Sequence, residues 1–168
     1  MKSMKMKSMF IYTIVLHFAL LFFSLPKAQA QTLKETEKWI EEKIELYGLI
    51  DIDISHTYNM EFSGDYLIIT EETILLGRPM YSKITVPIKE MHLVIFEENK
   101  NSTWLIIKIK DGNSLIKYEV YGEQTEYTSS YSLILEKSFS ESGLKPRMLK
   151  AFQHLFTLKG VDISKETF

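Results

Sequence analysis

The sequence predicts an α+β domain that is mainly β: an antiparallel β-sandwich or partial barrel capped by a C-terminal helix, with an additional N-terminal helix. Three observations predict it. Apolar residues recur at helical spacing over residues 32–47 and again over 146–159. Between them, from residue 50 to 137, the period is two and β-branched and aromatic residues are enriched. No helical stretch interrupts that run, which argues against a parallel βαβ sheet. A twisted sheet of seven or eight strands tends to fold over on itself.

Taken in order, residues 1–30 have the three-part pattern of a signal peptide, with cleavage expected after Ala30. Lys2, Lys5 and Lys7 make the positive start, Pro26 ends an apolar run, and Ala28 and Ala30 occupy the small positions a signal peptidase reads. The apolar run, residues 10–25, has 16 residues, short of the roughly 20 that span a bilayer. The expected product is one exported domain, periplasmic or secreted, over residues 31–168, with no transmembrane segment after cleavage. Its length of about 138 residues is enough for a single core. The chain has no cysteine, so neither disulfides nor a lipidated N-terminal Cys contributes, and stability must come from packing. Cleavage removes four of the 20 Lys and Arg and none of the 22 Asp and Glu, moving the formal charge from −2 to −6. An acidic exported domain is a poor fit for nucleic acid or anionic membranes, both of which need basic patches.

The first helix opens on a capping box, Thr32 with Glu35, and carries Leu33, Ile40, Ile44 and Tyr47 on one face, with Gly48 placed to end it. Strands are expected at residues 54–62, 66–71, 73–76, 81–86, 92–97, 104–110, 115–121 and 128–137. Hairpin turns are expected at Ser63, Gly64 and Asp65, at residues 98–101, and at Asp111, Gly112 and Asn113. Pro146 suits the first position of the last helix, whose apolar face is Met148, Leu149, Phe152, Leu155 and Phe156, and Gly160 is its stop.

Three local patterns carry a family likeness. Gly64, Leu67, Ile69 and Thr70 give Gly-x-x-Leu-x-Ile-Thr. Residues 86–94 give Val-Pro-Ile-x-acidic-apolar-x-x-Val, with Pro87 at a corner between strands. An apolar strand then ends in Asp111-Gly112. In this order, residues 55–158 resemble the pleckstrin-homology-like superfold, especially its GRAM and bacterial branches, and residues 147–155 resemble small exported proteins of Bacteroidetes type. The resemblance implies a PH-like sandwich used for binding, not an activity. The first hairpin has Glu61 and Asp65 where phosphoinositide-binding members collect Lys and Arg, so no phosphoinositide partner is expected.

Catalytic and metal chemistry find little footing. His56, His92 and His154 have no ligand spacing, and no cofactor pattern is present. Glu90 and His92, two apart, offer a base and its orienter if both lie on an extended segment. Asp51 and Asp53, alternating with Ser55, offer oxygens on one strand face for a hard cation or simply a wet face. Glu71-Glu72 and Glu97-Glu98 sit at expected strand ends, where solvated charge is ordinary. Tyr127, Ser129 and Tyr131 alternate along one strand, and Tyr118 and Tyr121 lie on the preceding one. Tyr118, Tyr121, Tyr127 and Tyr131 are therefore the candidate ligand-binding residues, with half-buried sheet edges as the alternative explanation. The reading is a non-catalytic binding module for a protein, peptide or envelope component. A small extracytoplasmic hydrolase and a structural or inhibitory envelope protein are its alternatives.

Overall fold

The computed structural model describes residues 32–51, 53–121 and 125–161; the expected signal peptide and the polar tail after Val161 lie outside these residues. The chain folds as α1 (Leu33–Leu46), β1 (Ile54–Ser63), β2 (Tyr66–Leu75), β3 (Arg78–Pro87), β4 (Met91–Glu98), β5 (Ser102–Ile109), β6 (Ile116–Val120), β7 (Thr125–Thr128), β8 (Ser130–Glu136), α2 (Lys137–Glu141) and α3 (Leu144–Leu158). The strands form a five-stranded sheet, β1-β2-β3-β6-β7, and a three-stranded sheet, β4-β5-β8, and every pairing is antiparallel. The architecture is α+β and mainly β, sandwich-like and not a closed barrel. No helix among the described residues is long and apolar enough to cross a membrane.

Local chemistry accounts for most of the boundaries. The capping box is formed: Glu35 N–H donates to Thr32 Oγ1 at 3.2 Å, and Thr32 N–H donates to Glu35 Oε2 at 2.7 Å. Gly160, at φ +66°, ends α3 with Val161 N–H reaching back to Phe156 O at 2.9 Å. Of the face expected to be buried, Met148, Phe152, Leu155 and Phe156 have no exposed surface, and Leu149 is half-buried against the core. Pro146 is the third helical residue and not the first, because α3 begins at Leu144 after the left-handed Gly143. The first turn has no intrahelical use for that N–H, so proline is tolerated there too.

Four expectations need correction. Residues 66–71 and 73–76 are one strand, β2, which ends in a two-residue turn at Leu76 (φ 50°) and Gly77 (φ 76°). Both residues take the positive φ that a tight hairpin needs. Residues 128–137 are not one strand, because β7 ends at Thr128 in the large sheet and β8 starts at Ser130 in the small one. The segment around Asp111 and Gly112 is not a hairpin turn. It carries the chain from β5 to β6 in the other sheet through a short 3-10 turn. Gly48 does not act as a left-handed helix stop. A Cβ there would lie 2.3 Å from His56 O, so the glycine permits a close backbone crossing.

That crossing joins the two sheets. Glu136 N–H donates to Tyr47 O (2.9 Å) and Leu49 N–H to Ile134 O (3.2 Å), on the free edge of β8. On the other side, His56 N–H donates to Leu49 O at 2.7 Å on the free edge of β1. Further along β1, Glu45 and Glu41 of α1 accept the N–H groups of Met60 (3.3 Å) and Phe62 (3.0 Å). Side-chain carboxylates thus stand in for a missing neighbouring strand, which protects an edge that could otherwise pair with another chain.

Candidate functional site

The inner face of the large sheet is polar toward the β2–β3 turn. Register aligns His56 with Thr73 and Met80, and Tyr58 with Glu71 and Ser82. Period-two geometry sends His56, Tyr58, Glu71 and Ser82 inward with the aliphatic residues, and all four are buried. Glu71 is the hub. His56 Nδ1 lies 2.8 Å from Glu71 Oε1, Tyr131 OH donates to Glu71 Oε2 at 2.6 Å, and Thr73 Oγ1 lies 3.1 Å from the same histidine nitrogen. The Tyr58 hydroxyl accepts from Ile134 N–H at 2.8 Å, pinning β1 to β8. Ser82 and Tyr118 share a hydroxyl–hydroxyl bond of 3.1 Å, and the Tyr118 ring lies 6.2 Å from that of Tyr131.

Electrostatics follow from this wiring. Burial by itself would raise the Glu71 carboxyl pKa. The hydrogen bonds from His56 and Tyr131, the field of His56 and the Thr73 hydroxyl outweigh that effect and hold it below the usual carboxylate value. Burial first, then the Glu71 charge, pushes the phenols of Tyr58 and Tyr131 far up, so both stay protonated donors. His56 Nε2 is buried without a hydrogen-bond partner among the described residues. The imidazole is 9% exposed, the Tyr131 hydroxyl is bonded to Glu71, and the Thr73 hydroxyl is bonded to His56 Nδ1. Chemically the cluster is a hydrogen-bonded clamp between sheets.

The four tyrosines chosen from sequence are divided by the structure. Tyr118 and Tyr131 meet in this cluster. Tyr121, 67% exposed, stands edge-on to Tyr81 at 6.4 Å, outside the sandwich. Tyr127 is also exposed, on β7 opposite Lys117, and so does not share a strand face with Tyr131. Glu90 ends a 3-10 turn while His92 is the second residue of β4, at a register shift between Met91 and Leu93, so the two do not share the continuous extended segment their pairing required. Asp51 and Asp53 precede β1 and do not lie on it, and no group of three potential ligands gathers around a metal position among the described residues. Glu71 is not at a strand end but in mid-strand and 7% exposed, a buried position that the split of β2 concealed.

Above the clamp the surface becomes apolar. Leu76 is 76% exposed at the tip of the β2–β3 turn, Ile74, Leu75 and Met80 on the adjoining strand ends are exposed as well, and exposed Tyr81 and Tyr121 pair with each other three rows further down β3. Comparison of the chain with protein-family models, with curated proteins and with solved structures found no match.

Proposed function

We propose that the protein is an exported, non-catalytic binding module of pleckstrin-homology-like type that presents the β2–β3 tip to a protein or peptide of the cell envelope. One observation carries the reading: Leu76. A leucine there is disfavoured twice, because its backbone sits at φ 50° and its side chain is 76% in solvent. Asn, Asp or Gly would satisfy both backbone and water. Strained and exposed residues of this kind concentrate where a partner is met. Further down the same hairpin, the exposed Tyr81–Tyr121 pair supplies rigid aromatic area, suited to recognition at low entropic cost. Export is supported by the N-terminal pattern and the PH-like type by the three sequence motifs. The buried His56–Glu71 pair supports a rigid platform under the tip rather than turnover.

A photo-crosslinking residue placed at position 76 or 121, in cells exporting the protein, should give discrete adducts, whereas the same group at Lys110 should give none. Equal labelling from all three positions, or none from any, would sink the proposal.

A further inference from the structure

A second recognition feature lies on the other sheet. Trp104 stands on the outer face of β5, opposite Glu97 of β4, and is 37% exposed. Together with Glu98 and Asn99 these residues line a cleft of about 220 Å³. Each wall has a fixed geometry. The indole N–H donates to Ser102 Oγ at 3.0 Å, which holds the ring by its edge. Asn99 Oδ1 accepts the N–H groups of Asn101 and Ser102, at 2.9 and 2.8 Å, closing the hairpin turn. The Glu98 carboxylate accepts from Lys145 and Ser140, so its charge is already matched. That leaves the aromatic face of Trp104 and the carboxylate of Glu97, which is exposed and has no hydrogen-bond or ion-pair partner among the described residues.

We infer that the Trp104–Glu97 cleft is a binding site for an organic cation, an alkylammonium or guanidinium group of the kind a lysine or arginine side chain carries. The chemistry is complementary on both walls. Tryptophan has the most negative ring face among the side chains, and a cation over it is attracted to the quadrupole. A carboxylate one strand away places the opposite charge at the rim of the same cleft. A neutral ligand would gain only the ring contact, and an anion would be repelled by Glu97. The lock on the indole edge means that little side-chain freedom is lost on binding. This site is independent of the β2–β3 tip.

The test follows the indole N–H resonance of Trp104 by NMR in the ¹⁵N-labelled protein, assigned by its loss in Trp104→Phe. The titrants are Nα-acetyl-lysine methylamide and Nα-acetyl-arginine methylamide, with Nα-acetyl-norleucine methylamide as the uncharged control. Both cations should give saturable shifts with millimolar Kd, as expected of a single exposed cation–π contact and one charge pair. Glu97→Gln, an exposed change, should weaken both by about fivefold. The Trp39 indole, whose ring already has Arg147 5.5 Å over it, should not move. The inference is overturned if neither cation gives a saturable shift, if norleucine matches them, or if Glu97→Gln titrates like the parent.

Discussion

The two halves of the large sheet's inner face are built from different chemistry. Toward the β1–β2 turn, register lines up Met60 with Ile69 and Ile84, and Phe62 with Leu67 and Val86. These join the phenylalanines of α3 in one hydrocarbon core. Toward the β2–β3 turn, the equivalent rows hold Tyr58, Glu71 and Ser82, then His56, Thr73 and Met80. Hydrocarbon packing is strong but undirected, and it tolerates exchange of one apolar shape for another. A hydrogen-bonded cluster is weaker per residue but specific. A slip of one residue in β2 would send Glu71 into solvent and face Glu72 inward without a partner. The first half supplies stability. The second fixes register and stiffens the base of the exposed tip.

The largest effect should come from the hydrocarbon half. Phe152→Ala removes a fully buried ring and should cost about 3–5 kcal/mol in urea unfolding. A loss below about 1 kcal/mol would mean that α3 is not part of the core, and the comparison would fail.

In the polar half, Tyr131→Phe keeps the ring and removes one donor to a charged acceptor, which should cost about 1.5–3 kcal/mol. A double-mutant cycle with Glu71→Gln should show coupling above about 0.5 kcal/mol. Additive losses would show that the hydroxyl and carboxylate act separately, and there would be no clamp.

Element type was largely legible. The capping box, the helical periods and the alternation of β1 and β5 state their structure locally, which is why α1, α3 and most strands fall where the sequence places them. The candidate site was less legible, for a physical reason. Parity along a strand is readable only when the strand is read as continuous. With β2 unbroken, Glu71 shares the phase of Leu67 and Ile69 and must point inward. Reading two strands reset the phase there and made Glu71 a solvated end. The sequence places the break between β2 and β3 too wide, between residues 76 and 81, because Leu76 carries no turn signal; the turn is Leu76 and Gly77 alone. The small helix α2 and the sheet change at Ser129 depend on long-range packing that no local pattern announces. Nor could spacing bring Tyr131 to Glu71, 60 residues away in sequence.

Acid should distinguish the halves. The Glu71 pKa is depressed in the fold, so its contribution to stability is fully present above the unfolded carboxylate value of about 4.3. It is lost as pH falls through the folded value. Stability should therefore drop on acidification from about pH 5, and the Glu71→Gln variant should show a shallower decline. Phe152→Ala should keep the parent's pH slope at lower overall stability. If Glu71→Gln keeps the parent's slope, the carboxylate is not ionised in the folded cluster.

The smallest stability effect should come from the residue on which the binding proposal rests. Leu76→Asn places at φ 50° a residue that adopts left-handed backbone readily, and it removes an exposed apolar side chain from water. Neither change touches the clamp or the hydrocarbon core. Unfolding free energy should stay within about 0.5 kcal/mol of the parent or rise slightly. The same variant should lose most of the adducts formed from a crosslinker at position 121, because the apolar centre of the contact is gone. Those two readouts separate the explanations for a strained, exposed leucine. If Leu76→Asn destabilises by more than about 1 kcal/mol, the leucine packs against something structural and the strain is part of the fold. If stability holds and the adducts persist, the tip is not the recognition surface. Unchanged stability with lost adducts is the result expected of a residue kept for a partner: the fold does better without it, and binding does not.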